Sequence, residues 1–246
     1  MDVLAIILIA FTGPIVGSLI GVLRRPSELF VNNALAFAAG VMLAISFMQL
    51  VPESIRLSSP WVCCAGVTLG ALFMFALDKL VPHTDPGCVE VPHGRLTRRV
   101  AVYLLAGIAL HHFPEGMAIA LGAVNDFKIS LAIVVAIAVH DIPEAICTSA
   151  PYYYVSGSRW RAFLLSASTA VPTVLGYLIA HALFHRISLH VVGGVVAATA
   201  GLMLYISGDE LIPRSCAKHD DTPGHGPIFS LVAGAVFVIV LGSISK

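Results

Sequence analysis

Two stretches decide how this chain folds: LLAGIALHHFPEGMAIALGA (residues 104–123) and AIVVAIAVHDIPEAICTSA (132–150). Each is apolar from end to end except at its centre. His111, His112 and Glu115 interrupt the first; His140, Asp141 and Glu144 interrupt the second. Residues three and four apart share one side of a helix, so each triplet projects together. Each run approaches the roughly 20 residues that cross a bilayer as helix. A charge at the middle of such a run costs at least about 2.5 kcal/mol. Three polar groups in each of two neighbouring helices are tolerable only if they satisfy one another or a cation.

Imidazole nitrogen and carboxylate oxygen suit zinc, iron and manganese. Two facing antiparallel helices supply two imidazole–carboxylate pairs to one ion, and His112 and Asp141 lie where they can lean on a second. Pro114 and Pro143 each remove a helical N–H, which is expected to free carbonyls near Leu110 and Val139. Inside a bilayer such backbone is tolerated where protein, water or an ion satisfies it.

The rest of the chain fits this setting. Of its 246 residues, 58% are hydrophobic and 11% charged, and mean hydropathy is +0.91. Soluble domains carry roughly 25% charged residues. Formal net charge is zero, so nothing suggests nucleic acid as a partner. Cys63, Cys64, Cys88, Cys147 and Cys216 form no CxxC pair, and reduced packed thiols are expected.

Eight apolar runs fall at about 3–23, 34–55, 61–81, 100–123, 129–151, 161–184, 190–212 and 227–244. The first starts behind Asp2 without a basic leader, so it reads as a retained span. Connections are short, and residues 1–246 are expected to form a single polytopic domain. Basic residues flank the ends of the odd-numbered runs: Arg24, Arg25, Lys79, Arg95, Arg98, Arg99, Arg159, Arg161, Arg214 and Lys218. Only Arg56, Lys128, Arg186 and Lys246 lie on the other side. That bias puts the first side in the cytoplasm and both termini outside or in a lumen. Either the plasma membrane or an organelle membrane fits.

GVMLAISFMQLVPES (40–54) in the second run parallels GLMLYISGDELIPRS (201–215) in the seventh. With eight spans these two helices run in opposite directions, as do the fourth and fifth. The expectation is an all-α integral membrane protein of eight transmembrane helices with an inverted pseudo-two-fold repeat. Helices 1–3 would match 6–8, and helix 4 would match 5. Sites in such repeats lie near the midplane, at the interface of the halves.

HHFPEG followed by AIAVHDIPEA resembles the paired fourth- and fifth-helix signature of the ZIP (Zrt-/Irt-like) family of divalent metal transporters. SFMQLVPES and GDELIPRS resemble its second- and seventh-helix motifs. The resemblance implies a binuclear site within helices 4 and 5 and metal movement toward the cytosol by alternating access. It implies His111, Glu115, His140 and Glu144 for the primary site. His112, Asp141, Glu115 and Glu144 would form the second, where many members have asparagine at the His112 position. The cargo implied is a divalent ion, zinc first, with iron, manganese and cadmium also suited, and no separate cofactor. The chain departs from the pattern at three places. Val171 precedes Pro172 where members often have glutamate, Gln49 stands where glutamate is frequent, and Ala145 replaces a glycine. A dominant first site with a weakened neighbour follows.

Other polar residues have two readings each. Asp209 and Glu210 either receive departing ions or form a solvated helix end. Glu53 mirrors them near the outer end of the second run, where it would help entry, and Gln49 is a further pathway candidate. Cys147 either edges the pathway or packs as a thiol. His83, Cys88, Glu90 and His93 in one loop, and Cys216, His219, Asp220, Asp221 and His225 in another, have irregular spacing for metal. His181, His185 and His190 read as interfacial. Gly13, Gly17 and Gly21, with Gly66 and Gly70, give faces for close helix packing.

Two further function classes stay open on the residues alone. An intramembrane zinc-dependent hydrolase would use the ion to activate water, but HExxH is missing and the clusters are rich enough in carboxylate to saturate the ion. A metal-stabilised receptor or scaffold would not require the repeat. The partners expected are divalent ions and lipid, and a homodimer is compatible with the sequence.

Overall fold

The computed structural model describes residues 2–80, 98–125, 127–183, 188–216 and 225–244. Among them every regular element is helical. In chain order these are α1 (Asp2–Val22), α2 (Glu28–Ile45), α3 (Val51–Leu57), α4 (Pro60–Leu80), α5 (Arg98–Asn125), α6 (Phe127–Ser156), α7 (Arg159–Ala167), α8 (Ala170–Leu183), α9 (Leu189–Ile206), α10 (Ile212–Ser215) and α11 (Gly226–Ile244). Five stretches are long and apolar enough to cross a membrane: Val3–Val22, Glu28–Leu57, Arg159–Leu183, Leu189–Ser215 and Gly226–Ser243. Pro60–Ala76 is a shorter apolar helix. Large apolar side chains face outward, with Leu69 64% and Phe229 72% exposed, while histidines and carboxylates are buried. An apolar exterior of this kind is the surface lipid covers.

Prolines shape three of these rods. Pro52 lacks the N–H that would pair with the Met48 carbonyl. The helix widens there into one π turn, Ser46–Leu50, and the Val51 N–H donates to the Ser46 carbonyl. Pro213 has the same effect at Ser207–Leu211, where the Ile212 N–H donates to the Ser207 carbonyl. Single π turns in α-helices recur at functional sites. Pro172 acts more severely, since its ring collides with the carbonyl four residues back, at Ser168. The span expected over 161–184 is present as the apolar stretch Arg159–Leu183, but a tight turn divides its helix into α7 and α8. There the Thr169 N–H donates to the Ser166 carbonyl at 3.1 Å, and the Val171 N–H to the Ser168 carbonyl at 3.0 Å. By contrast α5 and α6 continue through Pro114 and Pro143.

Two sets of helices result. In one, α5 packs on α8 and α6 on α1, with α5 and α6 against each other; in the other, α4 packs on α9 and α2 on α11. The sets meet where α2 touches α6 and α5 touches α9. Glycines allow the closest crossings. A side chain added at Gly116 would overlap the Thr173 carbonyl, and one at Gly176 the Phe113 carbonyl. Gly13 and Gly17 approach the Ala138 and Ile142 carbonyls in the same way. Gly17 also faces Ala145, so the alanine that stands in place of the family's glycine is accommodated by a bare backbone opposite.

Hydroxyls finish this side of the bundle. Ser18 donates to Ser166 at 2.7 Å, and Ser166 donates to the Ala145 carbonyl at 3.0 Å. Thr148 and Ser149 reach the same carbonyl at 3.1 and 2.6 Å. All four hydroxyl side chains are buried. Interhelical hydrogen bonds in membranes average about 0.6 kcal/mol. Ser166→Ala is thus expected to lower unfolding free energy in detergent by about 1 kcal/mol, read from a denaturant titration.

Candidate metal centre

The central helices place all six polar residues in one buried cluster. His111, His112 and Glu115 on α5 and His140, Asp141 and Glu144 on α6 are each at most 5% exposed. The glycine crossings flank this level on both sides. Gly116 follows Glu115, and an added Cβ at Gly13 would press on the Asp141 Cβ.

Pairing runs across the helices. His111 Nε2 lies 2.8 Å from Glu144 Oε2, and His140 Nε2 lies 3.2 Å from Glu115 Oε1. His112 stands between them. Its Nε2 lies 3.4 Å from Glu144 Oε2, 3.5 Å from Asp141 Oδ1 and 3.9 Å from Glu115 Oε2. Asp141 Oδ1 is also 3.4 Å from His140 Nε2. The ring centroids of His111 and His112 are 4.7 Å apart, edge to face.

Two ligand groups emerge, each offering one atom per residue within 4.8 Å of the others: His111, His112 and Glu144, and His112, Glu115 and Asp141. The sequence reading drew its first group around His111, Glu115, His140 and Glu144. In the structure those four form two diagonal pairs, and His112 is common to both ligand groups. Zinc bonds to nitrogen and oxygen of about 2.0–2.2 Å give a tetrahedron with an edge of roughly 3.4 Å. The distances from His112 Nε2 to Glu144 and Asp141 match that edge.

The atoms that do not pair are as informative. His111 Nδ1, His112 Nε2, Glu115 Oε2, both Asp141 oxygens and Glu144 Oε1 are buried and make no hydrogen bond. A buried polar group left unpaired costs about 1–3 kcal/mol. Six in one cluster are the donor set a divalent ion would satisfy.

One contact was not anticipated. His112 Nδ1 lies 2.8 Å from the Thr169 carbonyl, at the break between α7 and α8. Val171, in the position where glutamate was expected, is 45% exposed and so not enclosed with the cluster. Pro172 was the available signal for a break at this level, but it points to the Ser168 carbonyl rather than to Thr169 or its partner.

Among the described residues, none of the remaining candidates belongs to either ligand group. Gln49 is exposed in the first π turn. Glu53 is half-buried and accepts from Arg56 Nε at 2.7 Å. Asp209 is exposed in the second π turn, and Glu210 is buried in an ion pair with Arg214. Cys147 is fully buried among Leu35, Met42, Met203 and Ile206. Cys216 and His225 are exposed. His83, Cys88, Glu90, His93, His185, His219, Asp220 and Asp221 lie outside the described residues. His181 stacks on Tyr177 with centroids 5.6 Å apart, and His190 is exposed at the start of α9.

Residues 89–242 match the family model described as ZIP Zinc transporter. The chain is 34% identical over 239 residues to a protein of Enterobacter sp. (strain 638) named Zinc transporter ZupT. The match covers 94% of this chain and 92% of that one. Proteins of the same name from Escherichia fergusonii and Escherichia coli O1:K1 are 33% identical over the same shares.

Proposed function

Because the chain belongs to the ZIP zinc transporter family, we propose that it carries a divalent metal ion, zinc foremost, across the membrane into the cytosol through a midplane site between α5 and α6. The observation that carries the site assignment is the enclosed set of His111, His112, Glu115, His140, Asp141 and Glu144, with six donor atoms left unpaired. Family membership favours transport over an intramembrane hydrolase or a metal-stabilised scaffold.

The architecture proposed is a single domain over residues 1–246 with eight spans. These are the five apolar stretches together with α4, α5 and α6. An inverted repeat relates the first three to the last three and α5 to α6. Several matched features support it. α2 and α9 are 18 residues each, and both are capped by a serine, Ser27 and Ser188, whose side chains accept from Phe30 N and Val191 N. Each continues into a five-residue π turn that starts with a buried serine and precedes Pro-containing residues. The crossings match as well. Gly40 meets the Leu231 carbonyl and Gly234 that of Phe37, as Gly201 meets Val67 and Gly70 meets Ala198. The pairing of α1 with α6 corresponds to that of α8 with α5.

In this reading a cation takes the place of the polar hydrogens between His111 and Glu144 and between His140 and Glu115. The termini face outside or a lumen, following the basic side, and Gln49, Glu53, Asp209 and Glu210 line the approaches on either side of the site. The ligand chemistry also admits iron, manganese and cadmium.

Histidine ligands bind metal when neutral and carboxylates when ionised, so loading competes with protons. Zinc affinity of the purified protein is expected to fall as pH drops through the histidine range, with protons released on binding. Calorimetry in two buffers of different ionisation enthalpy measures that release. Zinc affinity that stays flat from mildly acid to neutral pH contradicts imidazole ligation.

The reading is tested by zinc uptake into proteoliposomes holding the purified chain. Uptake that saturates with zinc and is reduced by competing divalent ions is expected. Uptake no faster than in empty vesicles overturns it.

A further inference from the structure

The contact between His112 and the α7–α8 break specifies more than position. A carbonyl oxygen only accepts hydrogen bonds. The 2.8 Å contact between His112 Nδ1 and the Thr169 carbonyl therefore puts the proton on Nδ1. In the neutral ring the lone pair is then on Nε2. That atom is buried, makes no hydrogen bond, and faces Glu144, Asp141 and Glu115. His111 and His140 differ, because their Nε2 atoms are already engaged with Glu144 and Glu115.

The contact lies at the break that precedes Pro172. In an unbroken helix the Thr169 carbonyl would lie along the α7–α8 axis. With Pro172 in place the chain turns at Ser168 and Thr169, and the hydrogen bonds there shorten to three-residue loops. The carbonyl thereby reaches α5, 57 residues away in sequence. The Thr169 side chain takes no part, since its hydroxyl donates to the Ser166 carbonyl at 2.7 Å.

We propose that the Thr169 carbonyl, turned toward α5 by the Pro172 break, is a positioning group that fixes His112 with its Nε2 lone pair in the site. His112 thereby becomes the nitrogen donor that favours borderline ions such as zinc and cadmium over hard ions such as manganese and magnesium. Without it the second ligand group is Glu115 and Asp141, oxygen only and of the kind that suits hard cations. This rests on the six-residue cluster being the transport site and adds to it the origin of ion preference. A backbone partner of this kind orients a metal ligand and sets its tautomer.

Nitrogen NMR on histidine-labelled, lipid-reconstituted protein reads the tautomer directly, with the His112 signal identified by its loss in His112→Asn. In metal-free protein, at a pH high enough for the His112 ring to be neutral, His112 is expected to show a protonated Nδ1 and a bare Nε2. Added zinc should move the Nε2 signal. Pro172→Ala restores a helical N–H at the break and is expected to mix the tautomers and lower zinc affinity about 10- to 100-fold. The preference for zinc over manganese in competition binding should fall with it. Thr169→Ala keeps the carbonyl and should retain the wild-type tautomer. A neutral His112 ring with its proton on Nε2 and a bare Nδ1 in the metal-free wild type overturns the proposal even if Pro172→Ala fails to fold. Zinc that moves the His111 and His140 signals but not that of His112 overturns it and leaves the transport site standing. Zinc that moves none of the three overturns both.

Discussion

Glu144→Ala is expected to reduce zinc uptake into proteoliposomes by more than about 100-fold, exceeding the usual cost of losing a ligand's supporting partner. Of the three carboxylates, Glu144 makes the shortest contact to an imidazole. It pairs with His111 at 2.8 Å and lies 3.4 Å from His112, so it joins two imidazoles. Its removal takes away an anionic ligand and leaves His111 buried without its partner. The folded protein should still be recovered, since His111 can remain neutral. Zinc binding and uptake are read on the same preparation, alongside His111→Ala and His140→Ala, which should fail in the same way. Uptake at wild-type rates in these variants contradicts the site assignment.

Gly116→Leu is expected to have the largest effect on folding. The α5–α8 crossing is reciprocal, with Gly116 against the Thr173 carbonyl and Gly176 against that of Phe113. Its obstacle is backbone, which cannot rotate aside. Overpacking a well-fitted interior costs about 1–3 kcal/mol even when side chains give way, and this crossing should exceed that. The crossing also carries the Thr169 turn toward His112, so the variant should lose zinc binding together with thermal stability. Gly242→Leu is the comparison, because nothing lies within 4 Å of a side chain added there. A Gly116→Leu protein that melts with the wild type would show that α5 and α8 are not packed this closely.

The buried polar cluster was legible because charge at the centre of an apolar run has few uses. Residue type and spacing were enough to put His111, His112 and Glu115 on one side of a helix facing His140, Asp141 and Glu144. Their cross-pairing depends on how α5 and α6 are rotated against each other, which glycines on α1 and α8 determine. Pro114 and Pro143 sit in helices held by glycine crossings, and there the helix continues. Pro52 and Pro213 follow π turns, and Pro172 follows a break between two helices. The partner of His112 was hidden for a related reason. A backbone carbonyl leaves no mark in residue identity, and Thr169 reaches the site through a turn rather than a side chain. The proposed repeat was read from GVMLAISFMQLVPES and GLMLYISGDELIPRS. Serine caps, π turns and glycine crossings add support that residue identity alone did not give.

Anomalous scattering at the zinc edge, from crystals of the full chain soaked in zinc, tests the central claim most directly. The expected result is a peak between α5 and α6, within bonding distance of His112 Nε2 and carboxylate oxygens of Glu144 and Asp141 or Glu115. Zinc found only elsewhere, with His111–Glu144 and His140–Glu115 still hydrogen-bonded to each other, would contradict it.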